Sequence, residues 1–135
     1  MRKKVSYWCV IIFIFSTLLL GCQRNISEDL SSVEIEIQYS ADSLISTLQS
    51  EKKHNLEAVI AVSGTVYEVN TINKRVTILL KGNETQETFV ICDMNTNHSS
   101  SIKTIKKGDS VLIKGLLKGL LKDVIMLNCI IIKNE

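Results

Sequence analysis

Four cysteines, two histidines and a scatter of lysines are the residues of this 135-residue chain best suited to chemistry. A metal site needs several ligands at short recurrent spacings such as CxxC or CxxxH. Cys92 and Cys129 belong to no such spacing, and His98, the nearest histidine, stands alone. No metal and no cofactor is expected. An enzyme would need a nucleophile beside an activating base, or paired carboxylates in a pocket. The histidines lie in polar segments, the acids are dispersed, and no glycine-rich loop is present to cradle a phosphate. His54, in Glu51-Lys52-Lys53-His54-Asn55, reads as a solvated residue at the end of a helix. Catalysis therefore has no support, which leaves thiol chemistry and surface charge.

Cys22 has the most informative surroundings. Arg2, Lys3 and Lys4 precede an apolar run from Val5 to Leu20; Gly21 and Cys22 follow, and the chain turns polar at Gln23-Arg24-Asn25. Charged region, apolar region and small residue come in the order of a secretory signal. Leu19-Leu20-Gly21-Cys22 resembles the lipobox of bacterial lipoproteins. The resemblance implies cleavage by signal peptidase II between Gly21 and Cys22 and a diacylglyceryl group on the Cys22 thiol. It also implies a domain held at a membrane of the cell envelope, outside the cytoplasm. Two other readings stay open. One is an uncleaved membrane helix, although the apolar run is 16 residues and a bilayer takes roughly 20. The other is an ordinary secretory signal with a chance cysteine at the cut.

Cleavage there would remove residues 1–21 and leave 114, one domain's worth. It would discard three of the 16 basic residues and none of the 14 acidic ones, turning a net charge of +2 into −1. Tyr7, Trp8, Phe13 and Phe15 would go as well, leaving Tyr39, Tyr67 and Phe89 as the aromatics. Cys9 is lost with the leader, so Cys92 and Cys129 remain as an even pair in an oxidising compartment, either a disulfide or two packed thiols.

The elements that position these residues follow from periodicity. Residues 22–32 combine the lipidated cysteine with a polar, aperiodic stretch that reads as a mobile tether. Val33 to Gln38 alternates as a half-buried strand would, either an added edge strand or an extended lead-in to a domain spanning 33–135. Ser40 or Asp42 can cap a helix over about 41–52, with Leu44, Ile45 and Leu48 on one face. Five strands are then expected: Val59–Val69 with Gly64 at a bend, Arg75–Leu80, Thr88–Met94, Ser110–Lys114 and Asp123–Ile132. Turns fall at Asn70–Asn73 and Lys81–Glu84, and a short helix at Ile102–Lys107. Sending Asp93 and Asn128 to solvent turns Val90 and Cys92 inward on the third strand, and Ile125, Leu127, Cys129 and Ile131 inward on the fifth. Val62, Gly64 and Val66 form the inner set of the first strand, and Val111, Ile113 and Gly115 that of the fourth.

Five short strands, a helix between the third and fourth and a bend glycine in a long first strand suggest a mainly β, five-stranded OB-fold barrel with an added N-terminal helix. Ile60–Val66, Val90–Cys92, Lys107–Gly115 and Asp123–Ile130, with the lead-in Ser40-Ala41-Asp42-Ser43-Leu44, resemble the tRNA-anti-like OB domains over about Val33 to Lys133. That family implies the barrel, a binding function and frequent occurrence in bacterial lipoproteins of unassigned role. Its third and fifth strands lie side by side, which implies that Cys92 and Cys129 meet inside the barrel. Members often carry a further cysteine after the Lys-Gly of strand four, where this chain has Leu116-Leu117, so Cys92 is the remaining candidate partner of Cys129.

The reading that results is a membrane-anchored, non-catalytic binding or interaction domain with an envelope protein as candidate partner and no small-molecule substrate assigned. Binding of single-stranded nucleic acid or another oligomer is the alternative. Single-strand binders combine a positive groove with stacking aromatics, whereas here the mature charge is −1 and the outer sheet offers Tyr67 alone. Lys114-Gly-Leu-Leu-Lys118-Gly-Leu-Leu-Lys122 would give an amphipathic helix, but two glycines and nine residues favour a strand running into a hairpin with its lysines in water. The candidate contact surface is then Tyr67, Lys74, Arg75, Lys114, Lys118 and Lys122, around the loops that frame the usual OB ligand face. Asn83-Glu84-Thr85 and Asn97-His98-Ser99 match glycosylation acceptors by coincidence in a bacterial lipoprotein.

Overall fold

The structure, a computed structural model, describes residues 29–50, 57–85 and 87–134. Gly21, Cys22 and His54 lie outside the described residues. In chain order the elements are β1 (Ile37–Ser40), α1 (Ala41–Ser50), β2 (Val59–Ile72), β3 (Arg75–Lys81), β4 (Phe89–Met94), α2 (Ser99–Ile102), β5 (Ser110–Leu120) and β6 (Val124–Asn134). Strands pair in the order β1-β2-β3-β4-β6-β5, and β5 returns to β2. Strands β2 to β6 thus close the five-stranded barrel expected of an OB-fold, with β4 and β6 parallel and the other barrel pairs antiparallel.

Closure depends on β2 serving two neighbours. Its first half, Val59–Thr65, pairs with β5, and its second, Thr65–Ile72, with β3. Gly64 stands one residue before the handover, where the sheet must bend. It also admits α1: a Cβ on Gly64 would lie 3.2 Å from Cβ of Ala41 and 3.3 Å from Cβ of Leu80. Helix α1 buries Ala41, Leu44, Ile45 and Leu48 and touches β2, β3, β4 and β5. It therefore lies across one mouth of the barrel as a plug. Burying a Leu or Ile side chain contributes about 1.5–3 kcal/mol, so this face anchors the helix. Ser40 begins it by accepting from the amide of Ser43 at 3.3 Å.

Residues 33–38 resolve into a strand that starts later than the alternation suggested. Ile37–Ser40 pairs in parallel with Ile60–Ser63 of β2. Because β5 holds the other edge of β2, β1 takes the part of the edge that β3 does not reach. The end of the expected tether is built structure. Leu30–Ser32 form a 3-10 turn, with Asp29 accepting from the Ser31 amide at 3.0 Å, and Leu30 is buried against β6.

Four further expectations shift. The chain reverses between β2 and β3 at Asn73-Lys74, both at positive φ (50° and 66°), rather than at Asn70–Asn73. That is the two-residue turn whose twist suits a hairpin. The helix expected at Ile102–Lys107 lies earlier, at Ser99–Ile102, after a 3-10 turn at Thr96–His98 capped by the Asn95 side chain. Strand β5 runs past the expected end at Lys114 to Leu120 and meets β6 in a hairpin, so the Lys114–Lys122 repeat is strand and turn as expected. The inner set of β6 also differs. Val124 and Met126 are buried, whereas Ile125 and Leu127 are not. Between the pairs Cys92↔Met126 and Met94↔Cys129, β6 carries one residue more than β4. That bulge falls at Asn128, whose φ is 53°, and asparagine tolerates the left-handed region. Parity flips there, which returns Cys129 to the interior. Among the described residues no helix is long and apolar enough to cross a membrane.

Candidate functional site

Outward-facing residues of β3, β4 and β6 build one groove on the barrel wall. Arg75 and Thr77 come from β3, Ile91 and Asp93 from β4, and Ile125 and Leu127 from β6, with Ile72 and Asn73 closing one end. The groove holds about 550 Å³. Alternation around the Asn128 bulge is what delivers Ile125 and Leu127 to this outer face rather than to the core. At its polar end Arg75 grips Asp93 in a two-pronged pair, Nε to Oδ1 at 3.0 Å and Nη2 to Oδ2 at 2.6 Å. Asp93 thereby holds the guanidinium still more firmly protonated than usual. Its charge is matched within the protein, so the groove offers an apolar floor with a neutralised rim.

The other residues of the expected contact surface do not converge on that groove. Lys74 is exposed in the β2–β3 turn beside it, and Lys122 is exposed at the tip of the β5–β6 hairpin. That tip is fastened to β4 by Asp123, which accepts from the Phe89 amide at 2.9 Å. Lys118 pairs with Glu57 at 2.9 Å. Lys114 is a correction: it is only 6% exposed. Its ammonium donates to the carbonyls of Val33 and Ser31. Those carbonyls supply the hydrogen bonds that a buried ammonium requires, and with Asp29–His98 at 3.1 Å they strap the N-terminal segment to the barrel.

Tyr67 sits at a second bulge, where β2 skips a pairing between Val66 and Glu68. It is 38% exposed, its ring centre 4.8 Å from that of Phe89. Lys107 Nζ lies 4.9 Å and Lys81 Nζ 5.9 Å from the same centre. Sequence reasoning placed Tyr67 on the surface without these three neighbours. Phe89 and Lys81 could have been found from the β3–β4 turn, which sets the two opposite each other in the ladder.

Cys92 and Cys129 both lie in the barrel interior as packed thiols. Burial pushes the Cys129 thiol well above its usual range, and a hydrogen bond with Cys92 adds to the effect. Gly115 makes the space, since a Cβ there would lie 2.6 Å from Sγ of Cys129. Among the described residues no group of three His, Cys, Asp or Glu is placed to hold a metal ion.

The tRNA-anti-like family model matches residues 1–131. No curated protein matches the chain. Among solved structures, the chain is similar to a candidate nucleic acid-binding lipoprotein from Klebsiella pneumoniae (TM-score 0.51, 10% identity), covering 58% of this chain and 72% of that one. Similarity to the S. pombe Stn1–Ten1 complex covers 57% of this chain and 56% of that one (TM-score 0.42, 11% identity). Similarity to the asparaginyl-tRNA synthetase of Pyrococcus horikoshii covers 59% and 19% (TM-score 0.43, 14% identity).

Proposed function

This chain belongs to the tRNA-anti-like family, and from that premise we propose that it is a lipid-anchored envelope protein whose barrel is a non-catalytic binding module for an apolar protein segment. Leu19-Leu20-Gly21-Cys22 after a basic and apolar leader supports the anchor. The outer groove carries the rest of the reading. Ile72, Ile91, Ile125 and Leu127 line it, and its one arginine is already paired. A nucleic-acid strand draws most of its affinity from phosphate neutralisation and stacking, and this groove is lined by neither an aromatic ring nor an unmatched cation, Lys74 standing in the turn beside it. An extended chain with apolar side chains fits it better.

Intact mass of the mature protein tests the anchor: a diacylglyceryl adduct on Cys22, abolished by Cys22→Ser, is expected. A photo-crosslinker at Thr77 tests the groove. Capture of an envelope protein at Thr77, but not from exposed Lys122 at the hairpin tip, is expected; equal capture from both positions overturns the groove reading. Single-strand binding is the second reading, favoured by Tyr67 and Phe89 beside two lysines and by the description of the Klebsiella lipoprotein. It predicts salt-dependent binding of short oligonucleotides, and a flat titration at low salt ends it.

A further inference from the structure

Two further hollows, which share a wall with each other, have no lining residue in common with the apolar groove. One, of about 550 Å³, is bounded by Tyr67, Lys81, Gly82, Glu84, Lys107 and Gly108. The other, of about 500 Å³, lies where the end of β1 and the start of α1 meet β2 and β5. Ser40, Asp42, Ser63 and Ser110 line it, and Thr65, Lys81 and Gly82 border both hollows.

Their chemistries are complementary. In the first, two ammonium groups lie within 6 Å of one tyrosine ring centre. Lys107 has no carboxylate partner among the described residues. Lys81 has Glu84, at 3.5 Å, whose side chain is 98% exposed and so screened by water. Gly108 has φ of 93° and nothing within 4 Å of where a Cβ would stand, so backbone borders open space. Cation–π contact holds the lysines in place before any ligand arrives. Phe89 and two ammonium groups already surround the Tyr67 ring, so a stacking base would compete with them for it. An oxyanion needs only the free side of the ammonium groups.

The second hollow presents hydroxyls, one carboxylate and, besides the shared Lys81, the side chain of Lys133, which is already engaged within the protein. Asp42 is kept ionised by its hydrogen bond with Ser40, the largest influence on it, and by the amide of Ser43. A carboxylate repels phosphate and accepts from alcohols. The pair of hollows therefore has a polarity: Lys107 borders the first alone and draws the anion there, while Asp42 borders the second alone and takes hydroxyl groups.

We propose that the two hollows form one cleft for the phosphate ester of a polyol, with its phosphate between Lys81 and Lys107 and its hydroxyls against Ser40, Asp42 and Ser110. No bond is made or broken; the cleft binds. The site is independent of the apolar groove and of the lipid anchor.

Glycerol phosphate and inorganic phosphate, titrated separately into the full chain in zwitterionic detergent and followed at the amides of Thr65, Gly82 and Gly108, test it. Glycerol phosphate is expected to bind more tightly than inorganic phosphate. Lys107→Gln should weaken both roughly fivefold, the equivalent of one modest ion pair. Asp42→Asn should weaken glycerol phosphate alone. Vesicles of phosphatidylglycerol, set against phosphatidylcholine, separate the sources: shifts with soluble ester mark a free ligand, and shifts with anionic vesicles only mark a lipid headgroup, both within the proposal. Equal binding of the two soluble probes overturns the polyol assignment. No shift, shifts unchanged in Lys107→Gln, or shifts with a short single strand alone overturn the site.

Discussion

The barrel is closed at two places by the same device used to different degrees. At the plugged mouth, Gly64 lets Ala41 of α1 approach; at the β5–β6 seam, Gly115 lets Cys129 point into the core. Hydrogen at each glycine replaces a methyl that would meet its neighbour at 3.2 Å in the first case and 2.6 Å in the second. The few tenths of an ångström matter. The plug is a separate helix that can ride outward, leaving Leu80 Cβ at 3.3 Å, whereas Gly115 and Cys129 face each other at a register shift between β5 and β6 and are each held by another strand, Gly115 by Ile60 of β2 and Cys129 by Met94 of β4. Close packing is therefore elastic at the mouth and stiff at the seam.

Gly115→Ala should be the most damaging single change, costing about 3 kcal/mol through overpacking against Cys129 Sγ, Met126 Cε and the Leu127 carbonyl, read as a drop in denaturant midpoint. Adding Cys129→Ala should recover part of it, so that the double variant loses at least about 1 kcal/mol less than the sum of the singles. Strict additivity would mean that the thiol is not what Gly115 accommodates. On the outer side of the same strand, Lys114→Met should cost about 2 kcal/mol by orphaning two carbonyls, with faster amide exchange confined to residues 30–33. Gly64→Ala should cost only about 1 kcal/mol, because α1 can shift and the unfolded chain loses entropy in partial compensation. A cost equal to that of Gly115→Ala would break the contrast between mouth and seam.

The smallest effect is absent at neutral pH. The Cys129 thiol has its pKa raised on folding, so both folded and unfolded chains are protonated below the ordinary thiol value of 9.0. Above it the unfolded chain ionises first, and stability falls as pH rises toward the folded value. Melting between pH 7 and 10 should show this decline, and Cys129→Ala should decline less.

Much of the barrel was legible in the sequence because alternation, turn residues and a bend glycine report local geometry. Val90, Cys92, Val111 and Ile113 face inward as alternation requires. On β6 the expected inner set placed Cys129 inside while misassigning Ile125 and Leu127, since one extra residue at Asn128 reverses the parity partway along. A bulge is a property of two strands, and a single strand's pattern does not show where the partner lacks a residue. Lys114 was misplaced for a similar reason. Its burial depends on carbonyls of Ser31 and Val33, some eighty residues earlier, and no spacing rule links a lysine to backbone that distant. The groove's apolar character followed from the same shifted parity, and Lys81 and Lys107 meet Tyr67 only through the fold.

The strap at the N-terminus has a consequence for reach. With Asp29 fixed beside His98, six residues lie between it and Cys22, a span that can reach at most about 25 Å. For the proposed lipid on Cys22, the barrel is confined to a shallow layer above the bilayer and hangs from a point close to α2. Within so thin a shell the local concentration of anything else held at that surface rises steeply. A weak grip in groove or cleft then suffices, because partner and domain are prevented from diffusing apart.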